Sequence, residues 1–182
     1  MTKKINKFKK QSGFTMIELL VVIVIIGILS TIGLGSFTSS QKKARDSRRK
    51  TDLRAISDAL ELYYNDFGSY PIDDGTGNFI GCGVGAQTTA CSAGQIWQNS
   101  DNGTTYMVQV PEDPNGGKYF YVSATGASYQ IYAHLENDKD RDVPIDGSGD
   151  PTYYTTPTGT TCVTGTCNYG RSSTNINLGA TF

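Results

Sequence analysis

With 182 residues, the chain has room for one ordinary domain and an appendage, which argues against a large multidomain enzyme. Lysine plus arginine (16) nearly balances aspartate plus glutamate (17), for a formal net charge of −1, and this disfavours a uniformly basic nucleic-acid binder. A single histidine, His134, excludes a multi-histidine metal centre and makes any Ser-His-Asp arrangement depend on that one residue.

Residues 1–13 carry Lys3, Lys4, Lys7, Lys9 and Lys10 and no acid, a basic tract of the kind retained on the cytoplasmic side of a membrane. From Phe14 to Gly35 the sequence FTMIELLVVIVIIGILSTIGLG carries one charge, Glu18, and Leu19 to Leu29 is unbroken apolar. About 20 helical residues at ~1.5 Å each match a hydrocarbon core of ~30 Å, so the segment predicts a membrane-resident helix. Bases also follow it, at Lys42, Lys43, Arg45, Arg48, Arg49, Lys50 and Arg54, so charge alone does not fix its orientation. The competing reading is a secretory signal peptide cut near Gly33-Leu34-Gly35. Glu18 argues against it, because an acid inside such a segment costs roughly 2.5–3.5 kcal/mol at the centre and less near the edge, and usually marks function.

No proline occurs between Met1 and Pro71, so helix can continue well past the apolar stretch. Leu53, Ile56, Leu60, Tyr63 and Phe67 recur at spacings of three and four and draw one stripe that needs a partner surface, and Gly68 and Pro71 supply the stop. A helix from Phe14 to about Asp66 is roughly 80 Å long, more than a compact domain of this size contains, so its first half is expected to protrude. Gly27, Gly33 and Gly35 weaken it by ~1 kcal/mol each and serve either a bend or close packing of helices. The basic band from Lys42 to Arg54 reads as a solvated face or as a partner for acidic groups of another subunit, ahead of a site for phosphates or anionic headgroups.

Beyond Pro71 the chain turns polar and aromatic. Residues 105–110, 118–123 and 128–135 read as strands joined by short linkers, an antiparallel meander. Along the last of these, Tyr129, Ile131, Ala133 and Leu135 share the face expected under the helix stripe, which turns Gln130, Tyr132, His134 and Glu136 outward. Asp138, Asp140, Asp142 and Asp146 place hard oxygen ligands on one loop, a candidate calcium site by spacing, although Val143 and Gly149 break the EF-hand pattern. Cys82, Cys91, Cys162 and Cys167 form an even set in Gly- and Thr-rich loops and suggest two disulfides; three pairings are possible, the local ones preferred, and zinc fits the spacing poorly.

The run Gly13, Phe14, Thr15, Met16, Ile17, Glu18, Leu19, Leu20 behind a lysine-rich leader resembles the class III signal of type IV prepilins and type II secretion pseudopilins. The strings RAISDALELYY at 54–64, GSYP at 68–71 and VPEDP at 110–114, with the tyrosine-rich strands that follow, resemble the G-type major pseudopilin branch, so the likeness covers roughly residues 1–140. It implies cleavage between Gly13 and Phe14 by a membrane prepilin peptidase, methylation of the new amine, and pairing of the Glu18 carboxylate with the amino terminus of a neighbouring subunit. It also implies a carboxyl-terminal calcium site, with no ligand residues carried over. Loss of the leader's five lysines leaves 11 basic against 17 acidic side chains, a formal charge of −6.

The expected fold is α+β, a long N-terminal helix with a protruding apolar half and an amphipathic half packed on a small antiparallel sheet. Its segments are a cleaved leader at 1–13, a transmembrane or filament-core helix at 14–35, an amphipathic continuation at 36–67, and an extracytoplasmic β-rich domain with a loop-rich tail at 68–182. The expected function is structural and non-enzymatic: a subunit that starts as a single-pass membrane protein and polymerises into a type IV pilus. Its partners would be copies of itself, the peptidase, a platform protein and an assembly ATPase, with no need for nucleic acid. The alternatives are a pseudopilin of a short periplasmic filament and a membrane-tethered extracellular binding domain.

Overall fold

The computed structural model describes residues 13–82, 89–99, 103–154, 162 and 166–178, and among these the side chains of 32–36 are outside the description. The fold is α+β, with helix α1 (Met16–Phe67) followed by seven short strands. The chain divides into two compact units, Met1–Gln41 and Lys42–Phe182, with α1 contributing to both.

In the first unit α1 begins at Met16, two residues later than the apolar run suggests, and the reason lies in a capping box. Thr15 Oγ1 accepts from the Glu18 backbone N–H at 3.2 Å, and the Glu18 carboxylate accepts from the Thr15 backbone N–H at 2.8 Å and from its hydroxyl at 2.6 Å. The helix continues through Gly27, Gly33 and Gly35 without a break. Ser30 and Thr31 donate their hydroxyls to the carbonyls of Ile26 and Ile28, both at 2.7 Å, so the polar side chains of this stretch are satisfied within the helix. Every large apolar side chain from Phe14 to Leu29 is exposed. Among the described residues, no helix is long and apolar enough to cross a membrane. The described helical stretch ahead of residue 32 is Met16–Thr31.

In the second unit the predicted stripe is the heart of the core. Leu53, Ile56, Leu60 and Tyr63 are buried with Tyr121, Tyr129, Ile131 and Ala133 and with a group of rings that includes Phe79, Trp97 and Tyr106. Phe67 is half exposed and stacks on Tyr63, with centroids 4.5 Å apart. Fully burying one such side chain stabilises by ~1.5–3 kcal/mol, so this stripe dominates the attachment of the helix. The helix stops where expected: Gly68 adopts φ +71° and its N–H reaches the Tyr64 carbonyl at 2.7 Å, a left-handed cap that suits glycine.

The strands depart from a simple meander. β1 (Ile80–Cys82) pairs with β2 (Thr89–Ala90), and β3 (Trp97–Gln98) pairs with β4 (Thr105–Met107), so the first predicted strand belongs to a separate hairpin. The main sheet runs β5 (Phe120–Val122), β6 (Gln130–Ala133), β7 (Tyr169–Ser172), all antiparallel, and its third strand comes from the loop-rich tail. The tail also explains why the far face of β6 is not turned to solvent as expected. Gln130 and Tyr132 are fully buried, and Tyr132 lies in a second cluster with Phe120, Val122, Cys162 and Cys167. His134 is half-buried, and its Nδ1 lies 2.6 Å from the Thr166 carbonyl.

Candidate assembly site

Gly13 and Phe14 lie in a non-helical segment just ahead of α1, with no neighbour within 4 Å of a Cβ placed on Gly13 and with Phe14 78% exposed. Residues 1–12 of the basic leader are outside the described residues. Glu18 sits one helical turn further on, held by Thr15. Its carboxylate thus has a local role as a helix cap, which a reading focused on charge in an apolar segment did not anticipate; the signal was present as Thr-x-x-Glu before an apolar run.

The basic band is the larger correction. Three of its seven bases, Arg45, Arg49 and Lys50, bond to this chain's own body, while Lys42, Lys43, Arg48 and Arg54 stay exposed. Arg49 is completely buried and fork-bonds Asp113, Nε to Oδ2 at 2.7 Å and Nη2 to Oδ1 at 2.9 Å, while Nη1 reaches Asp46 at 2.8 Å and Glu136 at 2.9 Å. Arg45 bonds both oxygens of Glu136, at 2.7 and 2.5 Å. Asp46, itself buried, accepts the backbone N–H groups of Glu136 and Asn137, each at 2.9 Å. The knot therefore ties α1 to the loop before β5 and to the segment after β6.

The charges shift as this geometry requires. The Arg45 hydrogen bond, working against burial and joined by those from Arg49 and Asn115, holds the Glu136 carboxyl at about 2. Burial opposes the Arg49 charge, but the bonds from Asp113, Glu136 and Asp46 outweigh it and raise the guanidinium pKa. Two cations against three carboxylates would be costly in a dry interior, and fork geometry plus the two backbone donors offset that cost.

Lys50 makes a second tie. Its Nζ lies 2.5 Å from Asp140 Oδ1 and 2.7 Å from Asp142 Oδ2, and the ring of Tyr169 lies 5.8 Å away. Burial works against the ammonium, yet the two carboxylates raise its pKa. The calcium reading placed Asp138, Asp140, Asp142 and Asp146 around one ion. Here Lys50 takes up the charge of Asp140 and Asp142, while Asp146 accepts the backbone N–H groups of Ser148 and Asp150 in its own turn. Among the described residues no group of three or more His, Cys, Asp or Glu side chains is placed to hold a metal ion. An ammonium inside the donor set does not fit a divalent cation.

Both local cysteine pairs are bonded, Cys82 with Cys91 and Cys162 with Cys167, and no cysteine is free. Cys82–Cys91 closes the β1–β2 hairpin against the main core, and Cys162–Cys167 packs with Phe120, Val122 and Tyr132 on the far face of the main sheet.

A capped helix with an exposed apolar half, continued into a half that is bolted to a small antiparallel body, defines a prepilin-like subunit. Consistent with that, the family model "Prokaryotic N-terminal methylation motif" matches residues 8–34. The chain belongs to the type II secretion system protein G family, whose model, "Type II secretion system (T2SS), protein G", matches residues 36–147. It is similar to the type II secretion system core protein G of Vibrio cholerae, 32% identical over 65% of this chain and 75% of that protein. The core protein G of Pseudomonas aeruginosa is also 32% identical, over 69% of this chain and 83% of that protein. A shorter likeness, 34% over 37% of this chain and 31% of the relative, joins it to the type IV major pilin protein PilA of Myxococcus xanthus. No solved structure matches the chain.

Proposed function

We propose that this chain is the structural subunit of a type II secretion pseudopilus, a short periplasmic filament built from many copies. The observation that carries this reading is coverage: likeness to secretion protein G spans residues 36–147, the docked half of α1 and most of the body, whereas likeness to the pilin PilA spans 68 residues. The relatives thus favour the secretion alternative over the surface pilus. The chain performs no catalysis in this reading; its work is mechanical.

The proposed sequence of events follows from the amino end. The leader holds residues 1–13 in the cytoplasm while the apolar stretch of 14–35 anchors the chain in the inner membrane. A prepilin peptidase cuts between Gly13 and Phe14, and the freed amine is methylated. The apolar side chains from Phe14 to Leu29 then exchange lipid for the helices of neighbouring copies, and Glu18 meets the amine of a neighbour in low dielectric, where each charge stabilises the other. A platform protein and an assembly ATPase drive the addition of copies.

Mass spectrometry of the mature protein tests the first step: a methylated Phe14 at the amino terminus is expected, and a start at Ser36 or an intact Met1 overturns the reading. Deletion of the gene separates the two filaments. Loss of protein secretion with surface fibres unchanged is the expected result, and loss of surface fibres with secretion intact would select the pilus. Glu18→Val is expected to abolish polymer while leaving leader removal intact.

A further inference from the structure

Trp97, the chain's one tryptophan, is fully buried, and its indole N–H finds no hydrogen-bond partner among the described residues. The β3–β4 hairpin sets it beside Tyr106, and the ring centroids of Phe79, Tyr106 and Tyr63 lie 4.5, 5.3 and 5.6 Å from it. These rings differ in what they can give to an indole that has lost an electron. A phenyl ring is far harder to oxidise than an indole, so Phe79 gives nothing. A phenol gives up an electron readily when its proton has somewhere to go, and Tyr106 has such a place. Its hydroxyl donates to Asp66 Oδ2 at 2.8 Å, and Asp66 is exposed near the end of α1. The Asn99 side chain also hydrogen-bonds this hydroxyl. Burial, then the Asp66 carboxylate, pushes the Tyr106 phenol up to about 12, so the proton stays on it in the resting chain. Tyr63 stands 5.4 Å from Tyr106 as well, so an electron missing from Tyr63 is also refilled from Tyr106.

We infer that Trp97, Tyr106 and Asp66 form an outlet that carries oxidising equivalents from the core to the surface of α1. The Trp97 radical cation has no base beside its N–H, so it keeps its proton and leaves a positive charge among apolar groups, which is costly. One electron then passes from Tyr106 to Trp97 while the phenol proton passes to Asp66. The indole is restored, and a neutral tyrosyl radical and a neutral carboxylic acid replace the phenol and the carboxylate. The buried positive charge and the carboxylate charge disappear together. The first electron is taken by ultraviolet light or by a one-electron oxidant of the hydroxyl-radical class. A diffusible thiolate returns an electron to Tyr106, and Asp66 returns the proton. The outlet spares the indole from ring oxidation, and with it the core that holds the end of α1. The two disulfides mark a chain that matures among oxidants, where such an outlet has use. A second tyrosine–carboxylate pair, Tyr70 with Glu61, is reached from Trp97 through Phe79, Tyr121 and Tyr129, a longer way out.

Laser photoionisation of the full-length chain in detergent tests this, because at the long-wavelength edge of indole absorption Trp97 alone takes up the light. The tryptophan radical is expected to decay as a tyrosyl radical grows in, and to do so more slowly in heavy water, since a proton moves with the electron. Tyr106→Phe is expected to lengthen the life of the tryptophan radical about tenfold. Asp66→Asn, which keeps a polar group at the hydroxyl and removes the base, is expected to act in the same direction, and Tyr63→Phe to leave the decay as it is. A wild-type radical that yields no tyrosyl signal, or that decays equally fast in heavy water, overturns the outlet whether or not the variants fold. An unchanged lifetime in folded Tyr106→Phe or Asp66→Asn, or a delay confined to Tyr63→Phe, overturns it as well.

Discussion

The two halves of α1 are one continuous helix with opposite solutions to the same problem. Upstream, the side chains from Phe14 to Leu29 are apolar and uncovered, and the polar groups among them are satisfied by the helix alone. Downstream, two charged side chains are covered completely, with Asp46 and Arg49 as buried as Leu53 and Leu60. The contrast teaches that an element's hydropathy does not say whether it is partnered inside the chain. One face of the charged half is bound to its own body, and the apolar half is the one left uncovered.

The largest test of that contrast is Arg49→Met. It removes the cation shared by Asp46, Asp113 and Glu136 and leaves carboxylates buried without it, so a loss of about 3–5 kcal/mol is expected in denaturant unfolding. A variant as stable as the wild type would show that the ion knot does not hold the helix to the body. Replacing Cys82 and Cys91 together by serine is expected to destabilise the body by about 2–3 kcal/mol, and the shorter Cys162–Cys167 loop by somewhat less, read as a shift in melting temperature.

Acid sharpens the comparison without mutation. The Glu136 carboxyl titrates at about 2 in the folded chain against an ordinary 4.5, so the stability it contributes is complete above pH 4.5 and is lost as the pH falls toward 2. The melting temperature should fall across that window, and less steeply in Glu136→Gln. Thr15→Ala removes one side of the capping box and is expected to cost the first turn of the apolar half about 1 kcal/mol, visible as faster amide exchange near Glu18 with the body unchanged. Last, chelation or added calcium should leave the melting temperature of the body where it is, while Lys50→Met should lower stability by about 1 kcal/mol or less.

Much of the architecture was legible in the residues because it depends on local spacing. The stripe from Leu53 to Tyr63, the stop at Gly68 and the nearby cysteine pairs each involve partners or periods a few positions apart. The ion knot was not legible in the same way, since the partners of Arg49 in the body lie 64 and 87 residues away. A trace of it was there: Asp46 and Arg49 continue the spacing of Leu53, Ile56 and Leu60 upstream, which puts two charges on the buried face. β7 left less trace. Its Gly170 has no side chain to show alternation, and the reason is steric, because a Cβ there would fall 2.8 Å from the Ile131 carbonyl oxygen. In the acidic loop, carboxylate spacing alone does not reveal that a lysine from α1 enters it.

The late position of β7 bears on how the molecule is made. Its partner β6 ends at Ala133, and β7 does not begin until Tyr169, so the sheet gains its outer strand only after a long intervening segment has been delivered. A chain delivered from its amino end would wait, with Tyr132 and the second cluster uncovered, until Tyr169–Ser172 emerge. Synthesis would then have to pass Ser172 before the body closes, and a nascent chain stalled short of Tyr169 would be open to proteases that the closed body resists.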